Sequence, residues 1–101
     1  MDQLTFYVTE KQLHAGMPLY EWLLEEAKEL GVHGGSAFRA IAGFGRHGRL
    51  REETFFELAG ELAVKVEFIL DDKLAEQVLQ RVRAQSLNIF YLRCKVESGI
   101  V

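Results

Sequence analysis

The chain has 101 residues, which fits a single domain over residues 1–101 that buries about two thirds of its unfolded surface. Hydrophobic residues make up 49% and charged residues 27%, with one proline, and this composition excludes a disordered tail or a fibre. The formal net charge of −3 gives no general attraction to nucleic acid or to an anionic membrane, so any anion site must be local.

The N-terminal sequence MDQLTFYVTE has neither the basic start nor the apolar run of a signal peptide. No apolar run is long enough to span a bilayer, so we expect no direct membrane insertion. Cys94 is the single cysteine, which rules out an internal disulfide and a thiolate-rich metal site. The sequence therefore predicts a cytoplasmic protein.

The first half of the chain predicts a strand, a helix and a second strand. Residues 3–9 alternate between apolar and polar side chains, with the period of a half-buried strand. Pro18 suits the first turn of a helix, and apolar side chains then recur at helical spacing until Gly31, which predicts a helix over about 18–30. After two glycines, residues 36–42 predict the second strand.

The second half predicts a strand, a helix and a final strand. Residues 62–70 alternate clearly, and Asp71 or Asp72 can cap a helix that runs to about Ala84. The final strand is expected to bury four alternate side chains and to expose the ones between them. The expected inward residues are Phe90, Leu92, Cys94 and Val96, and the outward ones are Tyr91, Arg93, Lys95 and Glu97.

The order β-α-β-β-α-β predicts an α+β fold, a ferredoxin-like βαββαβ sandwich. Polar alternate positions on three of the four strands favour a four-stranded antiparallel sheet with both helices on one face. The other face keeps apolar and aromatic side chains, so it is a candidate contact surface.

The connection over residues 46–60 is longer than two adjacent strands need, and connections of this length are often functional. At its start the closely spaced glycines of GFGRHGR can turn backbone N–H groups toward an anion, while guanidinium groups pair with phosphate oxygens. A glycine-bounded strand end with solvated arginines fits the same pattern equally well. The ligand-binding candidates are Glu10, Lys11, Arg39, Gly43, Phe44, Gly45, Arg46, His47, Arg49 and Lys65.

Structural explanations stand beside several of these candidates. Arg39 can be a surface residue with its stem packed on the sheet. Lys65 can pair with Glu67 on the same strand face, and the polar cluster at Glu10 can be an ordinary strand-to-helix connection. His14, His33 and His47 lack the short spacing of metal ligands, so no metal site is expected.

The rest of the long connection is a candidate partner-binding surface. Charged residues there surround aromatic ones that have no periodicity, which is typical of a contact surface more than of a core. The candidates are Arg51, Glu52, Phe55 and Phe56.

The segment Gly31 to Gly35 leading into FRAIAGFGRHG resembles the base of the T-loop in PII signalling proteins. A closer resemblance is to an uncharacterised PII-like family of about this length. The residues that carry it are Glu10, Lys11, His14, Gly16, Pro18, Leu19, Tyr20 and Glu21, then Arg39, Ile41, Gly43, Phe44 and Gly45.

This resemblance implies a regulatory protein and not an enzyme. It implies a homotrimer whose sheets surround an axis, with ADP, ATP or a cyclic nucleotide bound in clefts between subunits. The long connection would then signal to a membrane transporter, a channel or an enzyme. One departure is that residues 85–88, Gln-Ser-Leu-Asn, stand where PII proteins have a glycine-rich phosphate loop.

Two alternatives share the architecture. One is a structural or metal-tolerance trimer similar to CutA. The other is a hydrolase similar to acylphosphatase, whose phosphate loop resembles GVHGGSAFR, although that segment follows the first helix here and not the first strand.

Overall fold

A computed structural model describes residues 1–43 and 63–101 of the chain. In chain order the elements are β1 (Asp2–Thr9), β2 (Leu13–His14), β3 (Met17–Pro18), α1 (Leu19–Glu29), β4 (Gly35–Arg39), β5 (Ala63–Leu70), α2 (Asp72–Arg83) and β6 (Phe90–Lys95).

The four long strands form one antiparallel sheet in the order β4-β5-β1-β6. Both helices contact the central strand β1 and each other, so they form one layer on one face of the sheet. This is the predicted ferredoxin-like α+β sandwich, which the structure confirms.

The core lies between the helix layer and the sheet. The alternation predicted for β1 and β5 is confirmed, because Leu4, Phe6 and Val8 face the helices together with Val64, Val66 and Phe68. The ring centroids of Phe6 and Phe68 lie 6.5 Å apart in a T-shaped contact. The helices contribute Leu19, Trp22, Leu23, Ala27, Ala75, Val78, Leu79 and Val82.

Local signals account for the helix ends. The Asp71 side chain accepts a hydrogen bond from the Leu74 amide at 2.8 Å, which is the predicted N-cap of α2. Gly31 adopts φ 99° just after α1, a conformation that glycine reaches without strain. The strand predicted over 36–42 is shorter and earlier, since β4 ends at Arg39, although the Ala40 amide still donates to the Ala63 carbonyl at 2.9 Å.

A small hairpin between β1 and α1 was not predicted. Leu13 pairs with Pro18 and His14 with Met17, around a turn in which Ala15 and Gly16 have φ 53° and 81°. Two consecutive residues with positive φ are the signature of a type I′ turn, but strands of two residues leave no readable alternation.

The predicted facing of β6 is wrong. In the register of β1 with β6, Tyr91 lies opposite Phe6 and Arg93 opposite Leu4, so Tyr91 and Arg93 share the helix-covered face. Neighbouring strand residues point to opposite faces, and the side chains expected to be inward therefore lie on the uncovered one. Phe90, Leu92 and Cys94 are accordingly exposed, and Cys94 is not a core residue.

We name the sheet face that the helices leave uncovered the open face. Its exposed large apolar side chains come from three strands and are between 43% and 64% exposed. They are Phe38 on β4, Ile69 on β5, and Phe90 and Leu92 on β6. Within residues 1–43 and 63–101, no helix has the length and apolar character needed to cross a membrane.

Candidate functional site

Arg39 and Glu10 form an ion pair at the base of the long connection. Arg39 Nη2 lies 2.9 Å from Glu10 Oε2, and the two side chains are 67% and 33% exposed. Arg39 is the last residue of β4 and Glu10 follows the last residue of β1, so the pair links two connections at the same end of the strands. A guanidinium group exposed in this way can be reached by an anion from solvent.

The backbone around Glu10 is held in a tight turn. The Gln12 amide donates to the Thr9 carbonyl at 3.2 Å, and the Leu19 amide donates to the Gln12 carbonyl at 2.7 Å. Thr9 itself has no exposed surface. The Glu10 carboxylate is thus attached to a fixed stretch of backbone between β1 and the hairpin.

Arg39 lies opposite Val64 in the pairing of β4 with β5. Lys65 is the next residue of β5, so its side chain points to the other face of the sheet. Its Nζ is 5.2 Å from the centre of the Phe38 ring and 3.6 Å from Glu67 Oε2. Lys65 therefore contacts Glu67, as one interpretation of the sequence had it, and a cation–π contact ties it to the open face. Within one chain the structure does not bring Lys65 to the Glu10–Arg39 pair.

The remaining ligand candidates divide into exposed residues and residues that the structure does not describe. Lys11 and Gly43 are both exposed. Lys11 makes no ion pair with any residue in the described ranges. The candidates outside the described residues are Phe44, Gly45, Arg46, His47, Arg49, Arg51, Glu52, Phe55 and Phe56.

His14 makes a contact that the sequence did not reveal. Its Nε2 is 3.0 Å from Gln85 Oε1, and its ring centroid lies 4.7 Å from that of Trp22 in an edge-on contact. The hairpin is thereby joined to the connection between α2 and β6. A histidine on a two-residue strand and a glutamine 71 positions away carry no local signal of this pairing.

The α2–β6 connection has an unusual backbone. Ser86 and Asn88 have φ 54° and 56°, a left-handed conformation that costs most non-glycine residues about 1 kcal/mol or more. The connection thus takes up, without glycine, backbone conformations that glycine usually provides. It borders an open depression of about 480 Å³ that also includes Arg83 and Tyr91.

A second charged cluster lies at the opposite end of β1. The carboxylate of Asp2 has no exposed surface and lies 2.7 Å from Arg93 Nε and 3.0 Å from Lys95 Nζ. Hydrogen bonds from Arg93 and then Lys95 lower the pKa of Asp2 from 3.8 to about 2. Arg93 also reaches Glu76 on α2 at 2.6 Å. Because every charge here has a partner, the cluster is explained as a link between β1, β6 and α2.

The described part of the chain contains no group of three or more His, Cys, Asp or Glu side chains that could hold a metal ion. The groups that the Glu10–Arg39 pair offers are a carboxylate and a guanidinium, which form ion pairs and hydrogen bonds. Such groups bind and orient an anion.

Comparison with known proteins gives a family and a fold. Residues 1–97 match the model of the DUF190 family, described as "Uncharacterized ACR, COG1993". A UPF0166 protein of Aquifex aeolicus (strain VF5) is 35% identical over 89 residues, which cover 88% of this chain and 85% of the relative.

Among solved structures, a proposed PII-like signaling protein from Thermus thermophilus superposes with a TM-score of 0.56 at 20% identity. The match covers 92% of this chain and 81% of that protein, and at this identity it supports the fold alone. The resemblance drawn from the sequence is thus confirmed: the chain belongs to the DUF190 family and has a PII-like ferredoxin fold.

Proposed function

We propose that this protein is a PII-like regulatory protein that binds an adenine nucleotide, or a similar phosphate-bearing small molecule, in clefts between subunits. The observation that carries the proposal is the exposed Arg39 guanidinium at the base of the long connection. It lies at the end of β4, four residues before the glycine and arginine segment that begins at Gly43. Phosphate oxygens and guanidinium groups form paired, charge-assisted hydrogen bonds, and this supports a phosphate-bearing ligand.

The proposed clefts require more than one subunit, and the open face supports a homotrimer. Exposed aromatic and aliphatic side chains from β4, β5 and β6 lie on one face that the helices of the same chain do not cover. A second and third copy would remove this apolar surface from water. In the proposed assembly, the connection over residues 46–60 signals ligand binding to a transporter, a channel or an enzyme, and the protein itself is regulatory and not catalytic.

Isothermal titration calorimetry tests nucleotide binding directly. ADP, ATP and cyclic AMP are titrated into the protein with and without magnesium. We expect one of them to bind, and Arg39→Gln to weaken that binding by about tenfold because a charge-assisted pair is lost. Lys73→Gln is the matched control, since it removes one exposed positive charge from α2 and should leave the affinity unchanged.

The absence of binding heat for all three nucleotides would contradict the proposal. A trimer that binds none of them would favour the alternative of a structural assembly similar to CutA.

A further inference from the structure

We propose that Glu10 is a built-in competitor for the anion site at Arg39. In the structure its Oε2 lies 2.9 Å from Arg39 Nη2, which belongs to the guanidinium group that a phosphate would contact. The phosphate of a ligand then binds by exchanging with Glu10, and Glu10 lowers the affinity of the site for anions. This inference rests on the proposed function, because it takes Arg39 as a phosphate-binding group.

The exchange is favourable because the internal pair is weak. Arg39 is exposed and Glu10 is half-buried, so solvent screens the pair, and ion pairs at the surface contribute only about a fivefold factor to an equilibrium. A phosphate that forms two parallel hydrogen bonds with a guanidinium group makes a stronger contact than one carboxylate oxygen at 2.9 Å. A phosphate that forms both hydrogen bonds therefore displaces Glu10.

Glu10 continues to act after the exchange. Its backbone is held by the turn in which the Gln12 amide donates to the Thr9 carbonyl at 3.2 Å, with Thr9 fully buried. The Glu10 backbone consequently stays beside Arg39, so a displaced carboxylate remains close enough to repel the bound anion. Glu10 thus weakens the binding of every anion at this site.

The variant Glu10→Gln tests this inference. Glutamine keeps the size and the hydrogen-bonding oxygen of the side chain but removes the competing charge. The matched control is Glu29→Gln, which breaks another exposed ion pair of 2.9 Å, to Arg81 in the helix layer, and changes the net charge of the chain by the same amount. Any general electrostatic effect on anion binding therefore appears in both variants.

Two probes are titrated into each protein by calorimetry, ADP and inorganic pyrophosphate. The side-chain Nε–Hε signal of Arg39, assigned by its loss in Arg39→Lys, is followed by NMR. We expect Glu10→Gln to bind both probes about three- to tenfold more tightly than the unmodified chain. Glu29→Gln should match the unmodified chain, and each probe should shift the Arg39 signal.

The outcomes separate the inference from the proposed function. If ADP binds and Glu10→Gln has the same affinity as Glu29→Gln, the competitor role is wrong while nucleotide binding stands. If pyrophosphate binds more tightly to Glu10→Gln and none of ADP, ATP and cyclic AMP binds, the exchange is supported and the proposed nucleotide function is wrong. If neither probe binds any variant, the competitor role is wrong, and the proposed function is wrong as well when ATP and cyclic AMP also give no heat.

Discussion

Asp2 Oδ2 accepts a hydrogen bond from Arg93 Nε at 2.7 Å, although the two residues stand 91 positions apart in the chain. Asp2 begins β1 and Arg93 lies on the edge strand β6, so this contact joins the two ends of the chain at one corner of the sheet. The Asp2 carboxylate is fully buried there, and it stays ionised because Arg93 and Lys95 both pair with it.

The first prediction concerns the stability of the protein in acid. The pKa of Asp2 is lowered to about 2 by its hydrogen bonds to Arg93 and Lys95. A carboxyl group with a lowered pKa in the folded state stabilises the fold above its ordinary pKa, here 3.8, and loses that contribution as the pH falls toward 2. Urea unfolding between pH 5 and pH 2.5 should therefore show the unmodified chain losing stability more steeply than Asp2→Asn.

Asp2→Asn should be the less stable protein at pH 7, with the difference shrinking as the solution is acidified. Glu97→Gln, at an exposed position beyond β6, should follow the unmodified chain throughout. Parallel curves for Asp2→Asn and the unmodified chain would contradict the assignment of this pH dependence to Asp2.

The second prediction concerns Gly35, at the start of β4. A methyl group there would lie 2.4 Å from Phe68 Cε1 and 3.2 Å from Leu24 Cδ2. Phe68 is 2% exposed and cannot move without disturbing the core. Gly35→Ala should lower the free energy of unfolding by about 1–3 kcal/mol.

Gly34→Ala is the control for Gly35→Ala, since within residues 1–43 and 63–101 no atom other than those of its chain neighbours lies within 4 Å of the added methyl group. Equal urea midpoints for the two variants would show that the Phe68 ring moves aside without lowering the free energy of unfolding.

The third prediction concerns the open face. Leu92→Lys places a charge among exposed apolar side chains of β6. Formation of a trimer would bury this charge, so the variant should be a folded monomer. Light scattering coupled to size-exclusion chromatography measures the mass. Glu25→Lys on α1 is the control and should leave the mass unchanged. A monomeric unmodified chain at micromolar concentration would contradict the homotrimer.

The fourth prediction uses Cys94, which lies opposite Gln3 on the open face and is exposed in a single chain. If three copies cover this face, a thiol reagent such as DTNB should react slowly with the native protein. The same reagent should react rapidly with the Leu92→Lys monomer and with the urea-unfolded chain. Equally rapid reaction in the unmodified protein would show that the open face stays in contact with water.

The fifth prediction concerns the link between His14 and Gln85. His14→Ala removes a hydrogen bond of 3.0 Å and an aromatic contact with Trp22, and should lower the free energy of unfolding by about 1 kcal/mol. Trp22 is the single tryptophan, so its fluorescence reports the loss of the neighbouring ring directly. Amide exchange over residues 84–89 should become faster, because the connection loses its contact with the hairpin.

Lys11→Ala, at an exposed position before the same hairpin, should leave both the fluorescence and the exchange unchanged. Unaltered exchange over residues 84–89 in His14→Ala would show that the connection is held by its own backbone.

The sequence alone determined the elements whose signals are local. The alternation of β1 and β5, the apolar spacing of both helices and the Asp71 cap each depend on neighbouring residues, and their order predicts the βαββαβ fold. The resemblance to PII-like proteins likewise came from residues read along the chain, and the family match confirms it.

Tertiary structure decided which residues meet. The facing of β6 could not be read from its sequence, because apolar and aromatic side chains occupy both alternations, and only pairing with β1 shows that Arg93 faces Asp2. The Glu10–Arg39 pair likewise forms because β4 and β1 both run antiparallel to β5 between them, which brings their C-terminal ends to the same end of the sheet. Contacts between distant positions depend on strand order and register, and one shift of register reverses every face, so local pattern alone cannot fix them.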